Sequence, residues 1–431
     1  MHFQDYYEVP QLTKPLNCTV TVPGSKSITN RALLIAALAT EPVVLDNVLF
    51  SDDSLNFIAS LKALGFQLKV DEAARRVKVY GRGGLIPERH ARVYVGSAGT
   101  AARFITAMLA LTGGEYLVEA SPQMMLRPMQ PLLESLTALG ARFEFLGQPN
   151  CLPFRIQGTS GRQNLVTLRA SISSQFLSAL LLAGVSGDDD LEIVIDGEVA
   201  AKPYVEMTIA MMRQFGVTVE NQDFQRFIIP AGQTYQGKPR YTVEPDISNA
   251  NYFFALATLT GGAVRVKGVK LAALQGDIQF LKILQQLGST VTEEPDGVGV
   301  TGPRDGVYPG IEVDLGGTPD QTMTLAALAP FATGPTVIKN VALIKYHESN
   351  RLQAIRTELT KMGIVCEETA DGLVIQPGQP RPVTVETYDD HRMAMAFALI
   401  GVRSGGMRIS NPGCTAKTFE GYFELLNGVL G

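Results

Sequence analysis

A short polar cluster followed by an Ala- and Leu-rich stretch recurs six times along the chain. The copies are PGSKSITNRALLIAALA from Pro23, GSAGTAARFITAMLAL from Gly96, ASISSQFLSALLLAG from Ala170, EPDISNANYFFALATL from Glu244, TPDQTMTLAALAP from Thr318 and YDDHRMAMAFALIG from Tyr388. Their starts lie roughly 70–75 residues apart, a regular spacing that marks an internal repeat. A second series interleaves with the first: SLKALGFQLKV, SLTALGARFEF, MMRQFGVTVE, ILQQLGSTVT and ELTKMGIVCEE, with a degenerate sixth copy in FELLNGVLG. Each closes on a glycine (Gly65, Gly140, Gly216, Gly288, Gly363) just after the last helical position, then alternates in a β-like manner. Glycine there suits a left-handed helix C-cap, and the alternation predicts strands. Each unit therefore predicts two helices and about four short strands in an α/β fold. Six units divide more naturally into two domains of three than into one solenoid, and Gly237, Pro239 and Pro245 punctuate a boundary near residues 240–245.

Composition narrows the chemistry. With 431 residues, 45% of them hydrophobic, there is ample chain for more than one core. The net charge of −5 gives no basic field for nucleic acid, so any anion must be met by locally placed cations. Four cysteines (Cys18, Cys151, Cys366, Cys414) lie far apart without a CxxC pair, which predicts a reduced, cytoplasmic setting and no structural metal. The histidines at positions 2, 90, 347 and 391 are too scattered for a metal set. The opening MHFQDYYEVP lacks an apolar run of the secretory kind, and the longest apolar runs fall short of a membrane span. There is no P-loop, and GRGGLIPERH does not fit a dinucleotide fingerprint, so no nucleotide cofactor is indicated.

The polar clusters stand at predicted helix N-termini, where free N–H groups and the helix dipole favour an anion. Ordinary N-capping would explain any one of them. The embedded cations are what capping leaves unexplained. In GSKSITNRA, Lys26 and Ser27 occupy the expected cap and Arg31 returns to the same face one turn later. Gly99, Thr100 and Arg103 form a similar group, Arg103 reading equally as a surface residue. Ser173, Ser174 and Gln175 offer three short donors, with Lys202, Pro203 and Tyr204 following. Asp320 reads as a plain N-cap or a ligand-facing acid, and Glu348 with Arg351 reads as an intrahelical ion pair or part of a site. Asp390, His391 and Arg392 open another helix, where the cation calls for a nearby anion. Lys417 sits in a loop before the last helix. Together these predict an enzyme or binder for small, multiply charged anions.

PGSKSITNRA, GSAGTAAR, SISSQF, AKPY, PDQTMT, HESNR, DDHRMAM and NPGCTAKTF, in this order, resemble the 5-enolpyruvylshikimate-3-phosphate synthases (3-phosphoshikimate 1-carboxyvinyltransferases) of the enolpyruvyl transferase family. The resemblance runs from about residue 10 to the C-terminus. It implies a two-domain enolpyruvyl transferase fold of six βαβαββ units, three per domain. Domain I would comprise residues 1–23 plus 244–431, domain II residues 24–243, with the active site in the cleft between them. It implies transfer of the enolpyruvyl group of phosphoenolpyruvate to the 5-hydroxyl of shikimate 3-phosphate, without metal or cofactor, by a monomer whose domains close on substrate. Lys26, Ser27, Arg31, Ser173, Ser174, Gln175, Tyr204, Asp320 and His347 would hold shikimate 3-phosphate. Phosphoenolpyruvate would lie against Lys26, Gly99, Arg127, Gln175, Arg351, Arg392 and Lys417. Arg127 comes from MMLRPM, which by its own pattern reads as surface. Asp320 and Glu348 would serve as acid and base, with Lys26 and His347 also at the reacting groups.

Three positions depart from the family pattern. His347 stands where a lysine is usual, Ala201 where a serine often precedes KPY, and Ser97 where an asparagine is common. A neutral imidazole at 347 implies weaker, pH-dependent binding of shikimate 3-phosphate, unless Lys345 reaches in. Gly99 leaves room beside the enol site, which implies competition by glyphosate. The sister transferase acting on UDP-N-acetylglucosamine fits less well, since residues 120–130 lack its reactive cysteine. A carboxyvinyl transferase on another cyclic alcohol and a non-catalytic anion-binding relative are the remaining readings.

Overall fold

In a computed structural model, the structure describes residues 5–12, 14, 16–159, 161–185, 187 and 189–431. They fall into two compact units, Met1–Pro23 with Pro245–Gly431 (unit 1) and Gly24–Glu244 (unit 2). His2 lies outside the described residues.

Unit 2 contains α1 (Lys26–Leu38), α2 (Asp52–Ala63), α3 (Gly99–Leu111), the short α4 (Pro122–Met125), α5 (Gln130–Ala138), α6 (Ser174–Ala183) and α7 (Lys202–Gln214). Three four-stranded sheets accompany them, each with one parallel pair followed by antiparallel pairs. In the first, Arg240–Thr242 lies parallel to Val43–Asp46, followed by Arg76–Val79 and Leu68–Asp71. The repeat is thus completed by a strand from the far end of the unit. α1, α3 and α6 pack on one another, and every residue of α3 is buried. That is why these helices are rich in Ala and Leu all round, whereas the second-series helices keep a polar face.

Unit 1 contains α8 (Ile247–Thr260), α9 (Phe280–Gln286), α10 (Thr322–Leu328), α11 (Arg351–Lys361), α12 (His391–Ser404) and α13 (Tyr422–Leu430). Its central helices are α8, α10 and α12. Two four-stranded sheets repeat the same strand order as unit 2, and a third has three strands. Asn17–Val20 pairs parallel with Ala263–Lys267, and Tyr6–Glu8 pairs antiparallel with Arg408–Ser410. Both units place the second-series glycines in the left-handed region: φ is +83° at Gly65, +113° at Gly140, +82° at Gly216, +89° at Gly288 and +84° at Gly363. A side chain there would strain the helix exit. Among the described residues, no helix is long and apolar enough to cross a membrane, and no cluster of His, Cys, Asp and Glu could hold a metal ion.

Candidate active site

Three buried helix N-termini are stitched together in unit 2. Ser25, extended at φ −64° and ψ 126°, caps α1 by accepting Ile28 N–H at 3.4 Å. Lys26 and Ser27 therefore lie inside the first turn rather than in the cap, a correction to the sequence reading, and their backbone N–H groups join the positive end of the helix. Lys26 Nζ lies 3.4 Å from the buried Asp53 carboxylate. Arg31 is 1% exposed and lies over the Phe104 ring. It donates to Thr208 Oγ1 at 2.8 Å, to the Ser27 carbonyl at 3.0 Å, and to Ser178 Oγ and the Tyr204 carbonyl, each at 3.3 Å. Burial lowers its pKa to about 10, so it stays charged at neutral pH. Asn30 Nδ2 donates to Thr100 Oγ1 at 2.6 Å, joining α1 to the start of α3.

Arg103 is buried, not at the surface, and donates to Gln175 Oε1 at 2.7 Å, which joins α3 to α6. Ser173 caps α6 and Ser174 is buried beside it. Arg127 is also buried, with its backbone N–H on the Met124 carbonyl at the exit of α4. The surface reading of MMLRPM is thereby overturned. A Cβ at Gly99 would stand 2.9 Å from Arg127 Nη1 and 2.6 Å from Arg103 Nη1, so glycine is what lets both guanidinium groups approach the α3 N-terminus.

Unit 1 gathers an ion-pair network at its own helix starts. Arg351, the first residue of α11 and 1% exposed, has all five N–H donors engaged. They go to Asp390 Oδ2 at 2.8 Å and Oδ1 at 3.1 Å, Asp320 Oδ1 at 2.8 Å, Glu348 Oε2 at 2.9 Å and His347 Nδ1 at 3.0 Å. Arg392 Nη2 donates to Asp320 Oδ2 at 2.7 Å. Asp320 is not a cap: it lies in the 3₁₀ turn Pro319–Gln321, and its carboxylate bridges two arginines. Burial would raise its pKa, but Arg392, His347 and Arg351 hold it well below the usual 3.8. Glu348 precedes α11, so its bond to Arg351 is no intrahelical pair. Its other oxygen lies 3.5 Å from Lys417 Nζ. Asp390 caps α12 through Arg392 N–H at 3.0 Å and supplies, with Asp320, the anions that Arg392 requires at a positive helix end.

Burial lowers the His347 pKa from its ordinary 6.5; the neighbouring Asp320 carboxylate opposes this and Arg351 reinforces it. The geometry agrees. Nδ1 is 3.0 Å from an Arg351 N–H, which can only donate, and 3.6 Å from Asp320, so Nδ1 carries a lone pair and the ring is neutral. Lys345 does not take its place, being paired with Glu368 at 3.0 Å.

A model of the EPSP synthase (3-phosphoshikimate 1-carboxyvinyltransferase) family matches residues 10–426. The chain belongs to the EPSP synthase family. It is 44% identical over 427 residues to the 3-phosphoshikimate 1-carboxyvinyltransferase of Trichormus variabilis, covering 99% of this chain and 100% of that one. It is 45% identical over 419 residues to the enzyme of the same name from Nostoc sp., covering 97% and 98%. A solved structure of EPSP synthase from Acinetobacter baumannii superposes with a TM-score of 0.81 at 25% identity, covering 98% of this chain and 97% of that one. The enolpyruvyl transferase fold of six units is thus the fold of this chain.

Within this EPSP synthase fold, unit 2 brings together Lys26, Ser27 and Arg31, and separately Gly99, Arg127 and Gln175. Unit 1 brings together Asp320, His347, Glu348, Arg351, Arg392 and Lys417. Sequence reasoning passed over Asp53, the partner of Lys26, and gave no role to Asp390 toward Arg351. Asp53 carries a signal only in hindsight of structure, since an acid in a first helical turn is common for dipole reasons alone.

Proposed function

We propose that these groups carry out the 3-phosphoshikimate 1-carboxyvinyltransferase reaction, and that the bridging of Arg351 and Arg392 by Asp320 is its switch. The bridging pair is the observation that carries the reading: two guanidinium groups are held charged and aligned by a carboxylate whose place a substrate anion can take. Phosphoenolpyruvate displaces Asp320 from Arg351 and Arg392 and is held also by Arg127, Gln175, Lys26 and Lys417, with Gly99 leaving the space. Losing those cations makes Asp320 more basic just as substrate arrives. The shikimate 3-phosphate anion is held by Lys26, Ser27, Ser173, Ser174, Gln175 and Tyr204. Arg31, four of whose five N–H donors are taken by the protein, fixes the Ser27 and Tyr204 backbones and adds its charge. His347 acts on the same substrate as a neutral hydrogen-bonding group.

In the chemistry, Asp320 accepts the proton of the 5-hydroxyl as that oxygen bonds to C2 of the enol. Glu348, beside Lys417, gives a proton to C3. In the second half C3 returns a proton to Glu348, the double bond reforms and the C2–O bond to phosphate breaks, the departing phosphate taking the proton that Asp320 had accepted. The arginine and lysine clamp stabilises the charge that gathers on the leaving phosphate. Four free cysteines suit a cytoplasmic setting.

The test is phosphate release from phosphoenolpyruvate by purified protein, with and without shikimate 3-phosphate, at pH 6 and pH 8. Release that requires shikimate 3-phosphate supports the reading. Binding of both anions without release at either pH would overturn it in favour of a non-catalytic relative.

A further inference from the structure

The segment that delivers Arg392 to the site bends in a way its residues resist. Asp390 N–H donates to the Thr387 carbonyl at 2.9 Å, and the two residues between have φ of 55° at Tyr388 and 56° at Asp389. Positive φ at both central positions of a four-residue turn defines type I′, which favours Asn-Gly or Gly-Gly. A tyrosine there is an outlier, and such strain persists only where the surroundings over-determine it. Asp390 is an extended cap like Ser25, Ser173 and Asp246, but the two residues ahead of each of those three caps have no positive φ, so the fold does not demand this bend.

What holds the turn is a buried carboxylate outside the chemistry. Glu358, fully buried in α11, accepts Tyr388 O–H at 2.8 Å on Oε1. Its Oε2 accepts Glu386 N–H at 3.1 Å and Lys361 Nζ at 2.7 Å. Asn411 Nδ2 adds a bond to Asp389 Oδ1 at 3.1 Å. Glu358 follows Arg351 by seven residues and so shares its helix face. One face of α11 therefore grips the segment twice, through Glu358 before the turn and through Arg351 on Asp390 after it. Burial and Glu358 push the Tyr388 hydroxyl up to about 12, so the donor keeps its proton over the working pH range.

We propose that Glu358 and Tyr388 are a positioning pair: the buried carboxylate holds the Tyr388–Asp389 turn left-handed and so sets Asp390, Arg351 and Arg392 in the arrangement that receives phosphoenolpyruvate. This rests on the reading that Arg351 and Arg392 bind that substrate.

The experiment is steady-state kinetics of Tyr388→Phe, Glu358→Gln and the double variant Tyr388→Phe/Asp389→Gly, with each substrate varied in turn. Tyr388→Phe removes one hydroxyl from a partly exposed ring, so it keeps the question answerable if Glu358→Gln fails to fold. The expected result for Tyr388→Phe is a KM for phosphoenolpyruvate raised roughly tenfold, with kcat and the KM for shikimate 3-phosphate changed less than about threefold. Glycine at 389 adopts positive φ freely, so the double variant recovers most of the loss. An unchanged KM in Tyr388→Phe overturns the proposal. So does an equal rise in both KM values without rescue, the mark of a merely structural role. Parent turnover separates the two readings: a parent with no shikimate 3-phosphate-dependent release sinks the assigned activity, and an active parent with an indifferent Tyr388→Phe sinks only the positioning pair.

Discussion

Asp320 and the anion it makes room for compete for the same two guanidinium groups. Replacing Asp320 with asparagine removes both the competitor and the proton acceptor, and the two losses pull measurable quantities apart. Asp320→Asn should lower kcat by roughly 10²–10⁴, the range for losing a general base, while binding phosphoenolpyruvate at least as tightly as the parent. Single-turnover kinetics beside calorimetric titration would check this, and weaker binding with near-normal kcat would refute it. His347 is a second case. The native ring has a lowered pKa, so the unfolded chain takes the proton more readily and stability falls as pH drops from about 6.5 toward the native value. The same proton would strengthen binding of a phosphate dianion, so affinity for shikimate 3-phosphate should rise as pH falls from 8 toward the lowered native value. His347→Lys should bind it about tenfold more tightly at pH 8 and lose that pH dependence; no gain in affinity would show that position 347 does not touch the substrate. The pH dependence of binding is legible in HESNR, but the tautomer and the exclusion of Lys345 are not. The tautomer follows from the 3.0 Å approach of Arg351, which depends on where Asp390 and Asp320 have drawn that arginine.

Gly99 opens α3 because two arginine side chains from different segments crowd its N-terminus. Gly99→Ala would push a methyl group against the Arg127 and Arg103 tips, which are flexible and can yield, so the protein should fold normally. The expected outcome is a KM for phosphoenolpyruvate raised about tenfold with a smaller change in kcat. The inhibition constant of glyphosate should rise in the same series of measurements. Unaltered values for both would mean that Arg127 holds neither. At this scale the sequence was informative in proportion to its periodicity. The six buried helices were legible as Ala/Leu runs opened by polar clusters, and the second-series helices as a period that stops at a left-handed glycine. The 3₁₀ segments Ala342–Tyr346 and Pro412–Lys417 were not, since they are too short to show a period. Arg127 was hidden for a related reason: α4 spans only Pro122–Met125, and nothing in MMLRPM reveals that its exit turns inward. Arg31 was legible as a cation one turn into a helix start but not as a strut, because its acceptors Thr208, Ser178 and the Tyr204 carbonyl come from two other helices.

Each unit completes its set of sheets with strands drawn from distant parts of the chain, and in unit 1 this links the N-terminal segment to the helix that bears Arg392. Tyr6–Glu8 pairs with Arg408–Ser410 just beyond α12, Val9 N–H donates to the Met407 carbonyl at 2.9 Å and Leu12 N–H to the Val402 carbonyl at 2.8 Å. Val9 packs so closely on α12 that a Cβ at Gly401 would lie 2.7 Å from its own. Tyr7 stacks on Phe423 with ring centroids 4.2 Å apart and donates to Asn427 Oδ1 at 2.5 Å, tying α13 to the same strand. Burying two such side chains contributes about 1.5–3 kcal/mol each. Removing residues 1–12 should therefore cost unit 1 about 3 kcal/mol or more, which in a unit of this size lowers its thermal transition by roughly 6–12 °C. Hydrogen exchange should locate the loss: faster exchange in Arg408–Ser410 and α13, with Leu191–Asp196 of unit 2 unchanged. Because α12 begins at the arginine-bearing turn, the truncated protein should also bind phosphoenolpyruvate more weakly, with a smaller effect on groups anchored by unit 2 such as Ser27 and Gln175. Unaltered exchange in Arg408–Ser410 after truncation would mean that this sheet holds without its N-terminal strand, and that α12 draws its support from α8 and α10 alone.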